Sequence, residues 1–290
     1  MTPPEGWPRL LTLPEDGPRR LTPPGGWRRL LREVPGALGR LLGRRAAGPV
    51  RDPLPPWWHW RHVTKLDPDR PLGDAALAAV LASGTDAILV GGTQGITGAK
   101  VLRLLNRLEG SPVPVALEVS EPEAAIPGVG LYFIPLLLNS REDRWLMAPQ
   151  AVAMGRLLPR YGALIPWERM WPSAYLVLNP EAAVARRTDA IPLGAAEAAG
   201  CAAVVGRIWR LPLFYLEYSG RFGDPDLVRR VKAAAGPGCR VWYGGGIRSP
   251  EQAAAMARVA DTVVVGNLAH LEPERLAATV QAVRSVPPPG

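Results

Sequence analysis

Residues 213–246 read LFYLEYSGRFGDPDLVRRVKAAAGPGCRVWYGGG, and this stretch decides the fold. The runs Leu213 to Tyr218 and Arg240 to Tyr243 are rich in apolar residues, as expected for strands that are covered on both faces. Between them, Asp224-Pro225 opens a helical pattern that stops at Gly236. A strand, a helix and a second strand in this order predict a parallel pair of strands joined by a helical crossover.

The same alternation of apolar runs and helical patterns extends from Trp57 to the end of the chain. Further helices are predicted from Thr97 to Gly110 and after Ser249-Pro250-Glu251-Gln252, whose residue types are typical of a helix start. Eight runs are expected to be strands: Val63 to Asp67, Ala87 to Gly91, Val113 to Val119, Leu131 to Leu137, Tyr175 to Leu178, Leu213 to Tyr218, Arg240 to Tyr243 and Thr262 to Val265. Eight strands that alternate with helices predict an α/β fold of the TIM-barrel type, which commonly takes ~250 residues. A doubly wound parallel sheet is the alternative.

Residues 1–56 differ from the rest of the chain in composition. They are rich in Pro, Gly and Arg, and their ten arginines against five acidic residues hold five of the eight net positive charges. The pattern predicts a basic extension that is disordered or partly helical around Gly26 to Leu42, followed by one domain over residues 57–290. Because the basicity belongs to the extension, a nucleic-acid partner is not expected for the domain.

Composition excludes several other classes of protein. The chain has 47% hydrophobic and 21% charged residues, which is typical of a globular protein. No run approaches the ~18 apolar residues of a membrane-spanning helix, and the N-terminus lacks the pattern of a signal peptide, so a cytoplasmic location is expected. Cys201 and Cys239 are expected to be reduced, and three histidines do not make a zinc site.

Polar and glycine residues follow the predicted strands at their carboxyl ends, where a barrel of this kind builds its active site. Gly244 to Gly246 follow the seventh strand, and Gly266-Asn267 follow the eighth. Loops at these two positions commonly bind phosphate through backbone N–H groups. Lys65, one of only three lysines, and Asp67 end the first strand, where they could serve as a point charge and a magnesium ligand or could simply form an ion pair.

Two carboxylates lie within predicted strands. Glu217 lies in the sixth strand and Glu118 in the third. A buried carboxylate is costly unless it is paired or used, and burial raises its pKa towards that of a useful base. The sequence pattern does not choose between the two residues.

Six motifs in a fixed order connect the chain to a known family. They are residues 60–69 (WRHVTKLDPD), 83–93 (SGTDAILVGGT), 131–135 (LYFIP), 215–220 (YLEYSG), 243–247 (YGGGI) and 264–267 (VVGN). Over Trp58 to its end, the chain resembles the geranylgeranylglyceryl and heptaprenylglyceryl phosphate synthases, and the bacterial heptaprenyl enzymes most. The resemblance implies a modified TIM barrel and the transfer of a prenyl group to the C3 hydroxyl of sn-glycerol 1-phosphate.

The resemblance also implies roles for individual residues. Asp67 and Thr93 would bind Mg²⁺ beside a polyprenyl diphosphate. Glu217 would be catalytic, either taking the hydroxyl proton or facing the developing allylic cation, and Tyr215 would join it by positioning the glycerol phosphate. The residues implied to hold sn-glycerol 1-phosphate are Lys65, Tyr215, Leu216, Glu217, Tyr218, Ser219, Gly220, Gly246, Gly266 and Asn267.

Donor length, assembly and location follow from the same resemblance. Ala153 aligns with the position that limits the depth of the prenyl groove, so its small side chain predicts a long donor, heptaprenyl rather than the alternative geranylgeranyl. A homodimer is expected, and so is peripheral contact with the membrane, because the lipid substrate and product reside there. Without the resemblance, the phosphate-binding turns would equally suit an isomerase or lyase that acts on a sugar phosphate.

Overall fold

The computed structural model of the chain describes residues 54–120 and 124–290. Within these residues, eight parallel strands pair in chain order, and the last strand closes on the first to form a barrel. The strands are β1 His62–Leu66, β2 Ala87–Val90, β3 Val115–Glu118, β4 Leu131–Leu137, β5 Met170–Val177, β6 Leu213–Glu217, β7 Arg240–Gly244 and β8 Thr262–Val265. The predicted TIM barrel is therefore confirmed, and the open doubly wound sheet is wrong.

Helices occupy most of the connections between strands. They are α1 Asp74–Ala82, α2 Gly98–Arg107, α3 Ala148–Tyr161, α4 Ala183–Arg187, α5 Ala195–Ala203, α6 Pro225–Ala235, α7 Pro250–Ala257, α8 Asn267–Leu271 and α9 Leu276–Arg284, and a π-helical turn spans Val204–Trp209. The side chains of Thr97, Asp224 and Ser249 accept backbone N–H groups at the starts of α2, α6 and α7, which are the predicted helix starts. Between β3 and β4, the described residues 119–120 and 124–130 contain no α-helix.

Strand β5 begins earlier than its sequence predicted. The expected strand began at Tyr175, whereas the observed strand begins at Met170 and includes Pro172. Residues 170–173 pair with β4 alone, because pairing with β6 begins only at Ala174. A proline is tolerated where one side of a strand has no partner, since its missing N–H group leaves no gap in the ladder. Pro135 of β4 is placed in the same way, beyond the last residue of β4 that pairs with β3.

Aromatic side chains close the amino end of the barrel. Trp57 is fully buried, and its ring packs edge-on against Phe133 at 5.6 Å, Trp171 at 5.7 Å and Trp242 at 5.8 Å between ring centroids. Trp60 lies against the same cluster. Full burial of side chains of this size contributes several kcal/mol, at roughly 25 cal/mol per Å² of apolar surface. The aromatic cluster therefore anchors the barrel at the end opposite the strand carboxyl ends.

The described part of the chain begins at residue 54, so the predicted basic extension lies outside the described residues up to residue 53. This part includes the amphipathic pattern from Gly26 to Leu42. None of the helices in the described part of the chain has the length and apolar character needed to cross a membrane.

Candidate active site

Polar side chains replace apolar ones inside the barrel as the strands approach their carboxyl ends. Side chains alternate between the two faces of a strand, and Val63, Ala116 and Leu213, two positions before Lys65, Glu118 and Tyr215, belong to the apolar core. The polar layer consists of Lys65 from β1, Glu118 from β3, Tyr175 from β5, and Tyr215 and Glu217 from β6. Five titratable groups thus meet in one buried layer.

Lys65 and Tyr175 connect the two carboxylates. Lys65 Nζ lies 2.7 Å from Glu118 Oε1 and 3.4 Å from the Tyr175 hydroxyl. Tyr175 donates to Glu118 Oε2 at 2.7 Å, and its oxygen lies 3.4 Å from Glu217 Oε2. The rings of Tyr175 and Tyr215 stack with centroids 4.3 Å apart, and Lys65 Nζ lies 5.9 Å from the centroid of each. The ammonium is therefore held by charge, by a hydroxyl and by two aromatic faces.

The charges of this layer shift one another's pKa values. Burial raises the pKa of Glu217, and the Lys65 ammonium and the Ser219 hydroxyl oppose that rise without cancelling it. For Lys65, burial acts to lower the pKa, but the neighbouring carboxylates of Glu118, Glu217 and Asp67 together outweigh it and the pKa is raised. Lys65 therefore stays cationic at neutral pH, while Glu217 holds a proton more readily than an ordinary glutamate does.

Glu118 and Glu217 differ in how their oxygens are engaged. Both oxygens of Glu118 accept short hydrogen bonds, one from Lys65 and one from Tyr175. In Glu217 a single oxygen, Oε1, accepts from both the backbone N and the hydroxyl of Ser219, at 2.7 and 2.6 Å. The other, Oε2, has only the 3.4 Å contact with Tyr175 among the hydrogen bonds of the described residues. Glu217 is thus fixed in position with one oxygen available.

Glycine turns form the rim above this layer. Gly245 and Gly246 have φ values of +142° and +62°, and a Cβ on either would lie within 2.5 Å of the backbone of residues 218–222. Tyr243 fixes the turn by donating to the carbonyl of Gly245 at 2.8 Å and accepting the backbone N–H of Gly223 at 2.7 Å. A side chain would be strained at both positions, so glycine is required by the close packing of the two loops.

Asp67 lies on the same rim, at the end of β1. The Asp67 Oδ1 atom accepts the backbone N–H of Asp69 at 2.9 Å, and a Cβ on Gly92 would lie only 2.6 Å from it. The Asp67 backbone N–H is donated to His270 Nε2 at 3.1 Å, while the other ring nitrogen of His270 faces the carbonyl of Pro71 at 3.3 Å. Burial lowers the pKa of His270, which favours the neutral ring that accepts this bond. The alternative interpretation of Lys65 and Asp67, an ion pair between the two, is not what the described residues show, because Lys65 pairs with Glu118 instead.

The polar layer and the rim enclose one cavity of about 230 Å³. Of the residues expected to bind substrate or metal, ten line it: Lys65, Asp67, Thr93, Tyr215, Glu217, Ser219, Gly220, Gly246, Gly266 and Asn267. Three do not. Leu216 is fully buried on the opposite face of β6, Tyr218 packs beneath Gly245 and Gly223, and Ala153 lies partly buried in α3.

Several residues of the site were not assigned a role from the sequence, among them Arg70, His270, Gly91 and Tyr175. Arg70 and His270 line the cavity, and Arg70 donates to Asn267 Oδ1 at 2.7 Å. Gly91 also lines it and leaves room for Glu118, which would lie 2.8 Å from a Cβ at that position. Tyr175 lies behind the cavity. Gly91 was the last residue of the second predicted strand and Arg70 lies four residues after β1, so a wider reading of these strand ends could have found both, whereas Tyr175 and His270 give no such signal.

Comparisons with known proteins give matches that cover the barrel. A family model described as the PcrB family matches residues 56–284. A heptaprenylglyceryl phosphate synthase of Brevibacillus brevis is 47% identical over 226 residues, which cover 78% of this chain and 96% of the relative. A heptaprenylglyceryl phosphate synthase of Geobacillus kaustophilus is 44% identical over 228 residues, covering 78% and 93% of the two chains.

Solved structures of other proteins superpose on this barrel. The (S)-3-O-geranylgeranylglyceryl phosphate synthase of Thermoplasma acidophilum, in complex with its substrate sn-glycerol-1-phosphate, superposes with a TM-score of 0.68 at 28% identity. The superposition covers 78% of this chain and 94% of that one. A second protein of this kind, from Thermoplasma volcanium, gives a TM-score of 0.65 at 24% identity and supports the fold alone.

Proposed function

The chain belongs to the PcrB family, and from that premise we propose that it is a prenyltransferase that joins the C3 hydroxyl of sn-glycerol 1-phosphate to C1 of a polyprenyl diphosphate. A bond forms between the glycerol oxygen and C1, the bond from C1 to the diphosphate breaks, and the hydroxyl proton is released. The observation that carries the proposal is one cavity that joins a lysine, a buried carboxylate with an available oxygen, and glycine turns.

The glycine rim suits the phosphate end of the substrate. Gly246, Gly266 and Gly220 line the cavity and present backbone without side chains, so a phosphate can approach them closely. Lys65 stays cationic and supplies a positive charge from inside the barrel. Ser219 and Asn267 add polar side chains at the same rim.

Glu217 is the group best placed to take the hydroxyl proton. It lines the cavity, whereas the lining does not include Glu118. Ser219 holds Glu217 Oε1, which leaves Oε2, with its single 3.4 Å contact to Tyr175, available to accept a proton. The raised pKa of Glu217 brings it nearer to the range of an effective general base at neutral pH. Tyr215 supports this arrangement through its ring, which stacks on Tyr175 beside Lys65.

Mg²⁺ suits the two donors that follow β1 and β2. The described residues contain no group of three or more His, Cys, Asp or Glu side chains that could hold a metal by themselves. Asp67 and Thr93 both line the cavity, and one carboxylate and one hydroxyl together with substrate phosphates are a typical magnesium set. Bound there, Mg²⁺ would neutralise charge on the departing diphosphate.

The small side chain of Ala153 favours a long-chain donor, and heptaprenyl diphosphate is the donor to test.

We propose a homodimer as well. Apolar side chains are exposed on α3 and just after it, and patches of this kind commonly mark interfaces: Val152, Leu158, Tyr161, Leu164 and Trp167. Light scattering of the purified chain should give twice its 31.2 kDa mass, and the mass of a monomer would contradict this proposal. A cytoplasmic location with peripheral membrane contact stays a prediction from the sequence.

The direct test of the function is product formation. The purified chain is supplied with Mg²⁺, sn-glycerol 1-phosphate and equal amounts of geranylgeranyl and heptaprenyl diphosphate, and the products are identified by mass spectrometry. We expect a glycerol phosphate ether that carries mainly the heptaprenyl group, with little product when chelator is added or sn-glycerol 3-phosphate is supplied. An enzyme that makes no ether from either donor but converts sugar phosphates would be the isomerase or lyase instead.

A further inference from the structure

Glu118 and Tyr175 lie behind the cavity, where Tyr175 contacts Glu217 and Glu118 contacts Tyr175. Neither residue lines the cavity. Tyr175 has a single hydroxyl proton, and its shorter contact, 2.7 Å to Glu118 Oε2 against 3.4 Å to Glu217 Oε2, points to Glu118 as the acceptor. The Tyr175 oxygen therefore presents a lone pair towards Glu217 Oε2, 3.4 Å away, and towards the ammonium of Lys65 at the same distance.

We propose that Glu118 and Tyr175 are a positioning pair that directs the Tyr175 hydroxyl proton away from Glu217, so that Glu217 Oε2 stays available to accept the proton of the glycerol hydroxyl. Once Oε2 carries that proton, it can donate to the Tyr175 oxygen without any rearrangement of the layer. This inference rests on the proposed function, because it assigns the control of the base in that reaction.

The direction in which the pKa of Glu217 should change in a Glu118 variant follows from the groups that face Glu217. They are Lys65 from β1, Glu118 from β3, Tyr175 from β5, Tyr215 and Ser219 on and after its own strand, and Tyr243 from β7. Replacing Glu118 by Gln removes a like charge, lets Lys65 turn to Glu217, and lets Tyr175 donate to Glu217 Oε2. All three changes favour the charged form of Glu217 and lower its pKa, which is raised in the native layer.

The test compares the pH dependence of kcat/KM in the wild-type enzyme, Glu118→Gln and Tyr175→Phe. In Glu118→Gln we expect the acid limb to move to lower pH by about one unit, the size of shift that a single nearby charge causes. In Tyr175→Phe we expect kcat to fall about tenfold with the KM for sn-glycerol 1-phosphate nearly unchanged, because the protonated base loses its acceptor. The double variant should be about as active as the less active of the two single variants, since the two residues act as one unit.

Tyr132→Phe is the matched control. Its hydroxyl is buried and bonded to Ile126 and Val129, but it does not line the cavity. We expect Tyr132→Phe to keep the acid limb of the wild-type pH profile and the wild-type kcat. If both test variants also keep them, or if their losses multiply in the double variant, the positioning pair is refuted while the prenyl transfer stands. If the wild-type enzyme makes no product, the proposed function fails first. Should Glu118→Gln not fold, Tyr175→Phe decides alone, because it keeps the pair between Lys65 and Glu118.

Discussion

The two ends of the barrel interior contain opposite kinds of side chain. At the amino end, the aromatic rings of Trp57, Phe133, Trp171 and Trp242 pack against one another, and the Arg240 guanidinium contacts this cluster only at its edge, over the ring of Trp58. At the carboxyl end, two glutamates are buried beside the partly exposed Lys65, with Glu118 only 6% and Glu217 only 5% exposed. Burying charges is costly even when they are paired, and apolar side chains could fill the same space. The comparison shows that the amino end is built for stability and the carboxyl end for chemistry.

The largest expected effect is the loss of turnover when Glu217 at the carboxyl end is replaced. Glu217→Gln keeps the shape of the side chain but removes the proton acceptor, so steady-state turnover should fall by about 10² to 10⁴-fold. Binding of sn-glycerol 1-phosphate and thermal stability should change little, because no buried charge is left unpaired by removing this one. Glu109→Gln on the exposed surface is the control and should be fully active. Near-normal turnover in Glu217→Gln would remove the residue from the reaction.

The second prediction concerns the loss of stability when Trp57 at the amino end is replaced. Trp57→Ala should lower the free energy of unfolding by about 3–5 kcal/mol, because it leaves a large cavity in the aromatic cluster. Denaturant titration measures this loss, and Trp209→Ala, which removes a ring that is 49% exposed, should cost far less. The folded fraction of Trp57→Ala should keep its kcat. A variant of normal stability that lacks activity would contradict the division between the two ends.

The third prediction sharpens the comparison through pH. His62 is fully buried between the hydroxyls of Thr85 and Thr279, and burial lowers its pKa to about 4. Because the unfolded value is near 6.5, stability from the neutral ring is present above about pH 6.5 and is lost as the pH falls through about 4, by up to about 3 kcal/mol. Urea unfolding of wild-type protein and His62→Gln at pH 7, 5 and 4 measures the difference. Equal pH dependence in the two proteins would refute the role of His62.

The smallest expected effect concerns donor length. Ala153→Trp should reduce the yield from heptaprenyl diphosphate relative to geranylgeranyl diphosphate by about tenfold, as a bulky side chain in a hydrophobic groove typically does. Competition between the two donors, read by mass spectrometry, measures the ratio. Ala151→Trp, on the exposed face of the same helix, is the control. An unchanged ratio in Ala153→Trp would mean that another residue limits the chain.

The sequence predicted the barrel well because near-continuous apolar runs and helix starts are local signals. The predicted runs ending at Asp67 and Tyr243 and the helix starts at Asp224 and Ser249 needed no knowledge of distant contacts. The start of β5 was mispredicted because Pro172 argues against a strand unless one knows that β6 does not pair there.

The site was predicted at its rim and missed at its base. Glycines and polar residues at strand ends reveal themselves by position, so Gly246 and Asn267 could be proposed directly. The choice between Glu118 and Glu217 depends on which oxygens accept hydrogen bonds across strands far apart in sequence. The position of Tyr175 inside the layer likewise follows from the closed register of the barrel, which no local pattern encodes.

The central claim is that the cavity at the carboxyl end binds sn-glycerol 1-phosphate, and calorimetric titration of that compound tests it most directly. A Cβ on Gly266 would meet only Lys65, at 3.7 Å, so Gly266→Ala should fold normally and its methyl group should obstruct only the ligand. We predict one saturable site per wild-type chain, binding at least about tenfold weaker in Gly266→Ala, equivalent to about 1.4 kcal/mol, and normal binding in the helix variant Gly200→Ala. Absence of binding to the wild-type chain, or equal binding to all three proteins, would contradict the account.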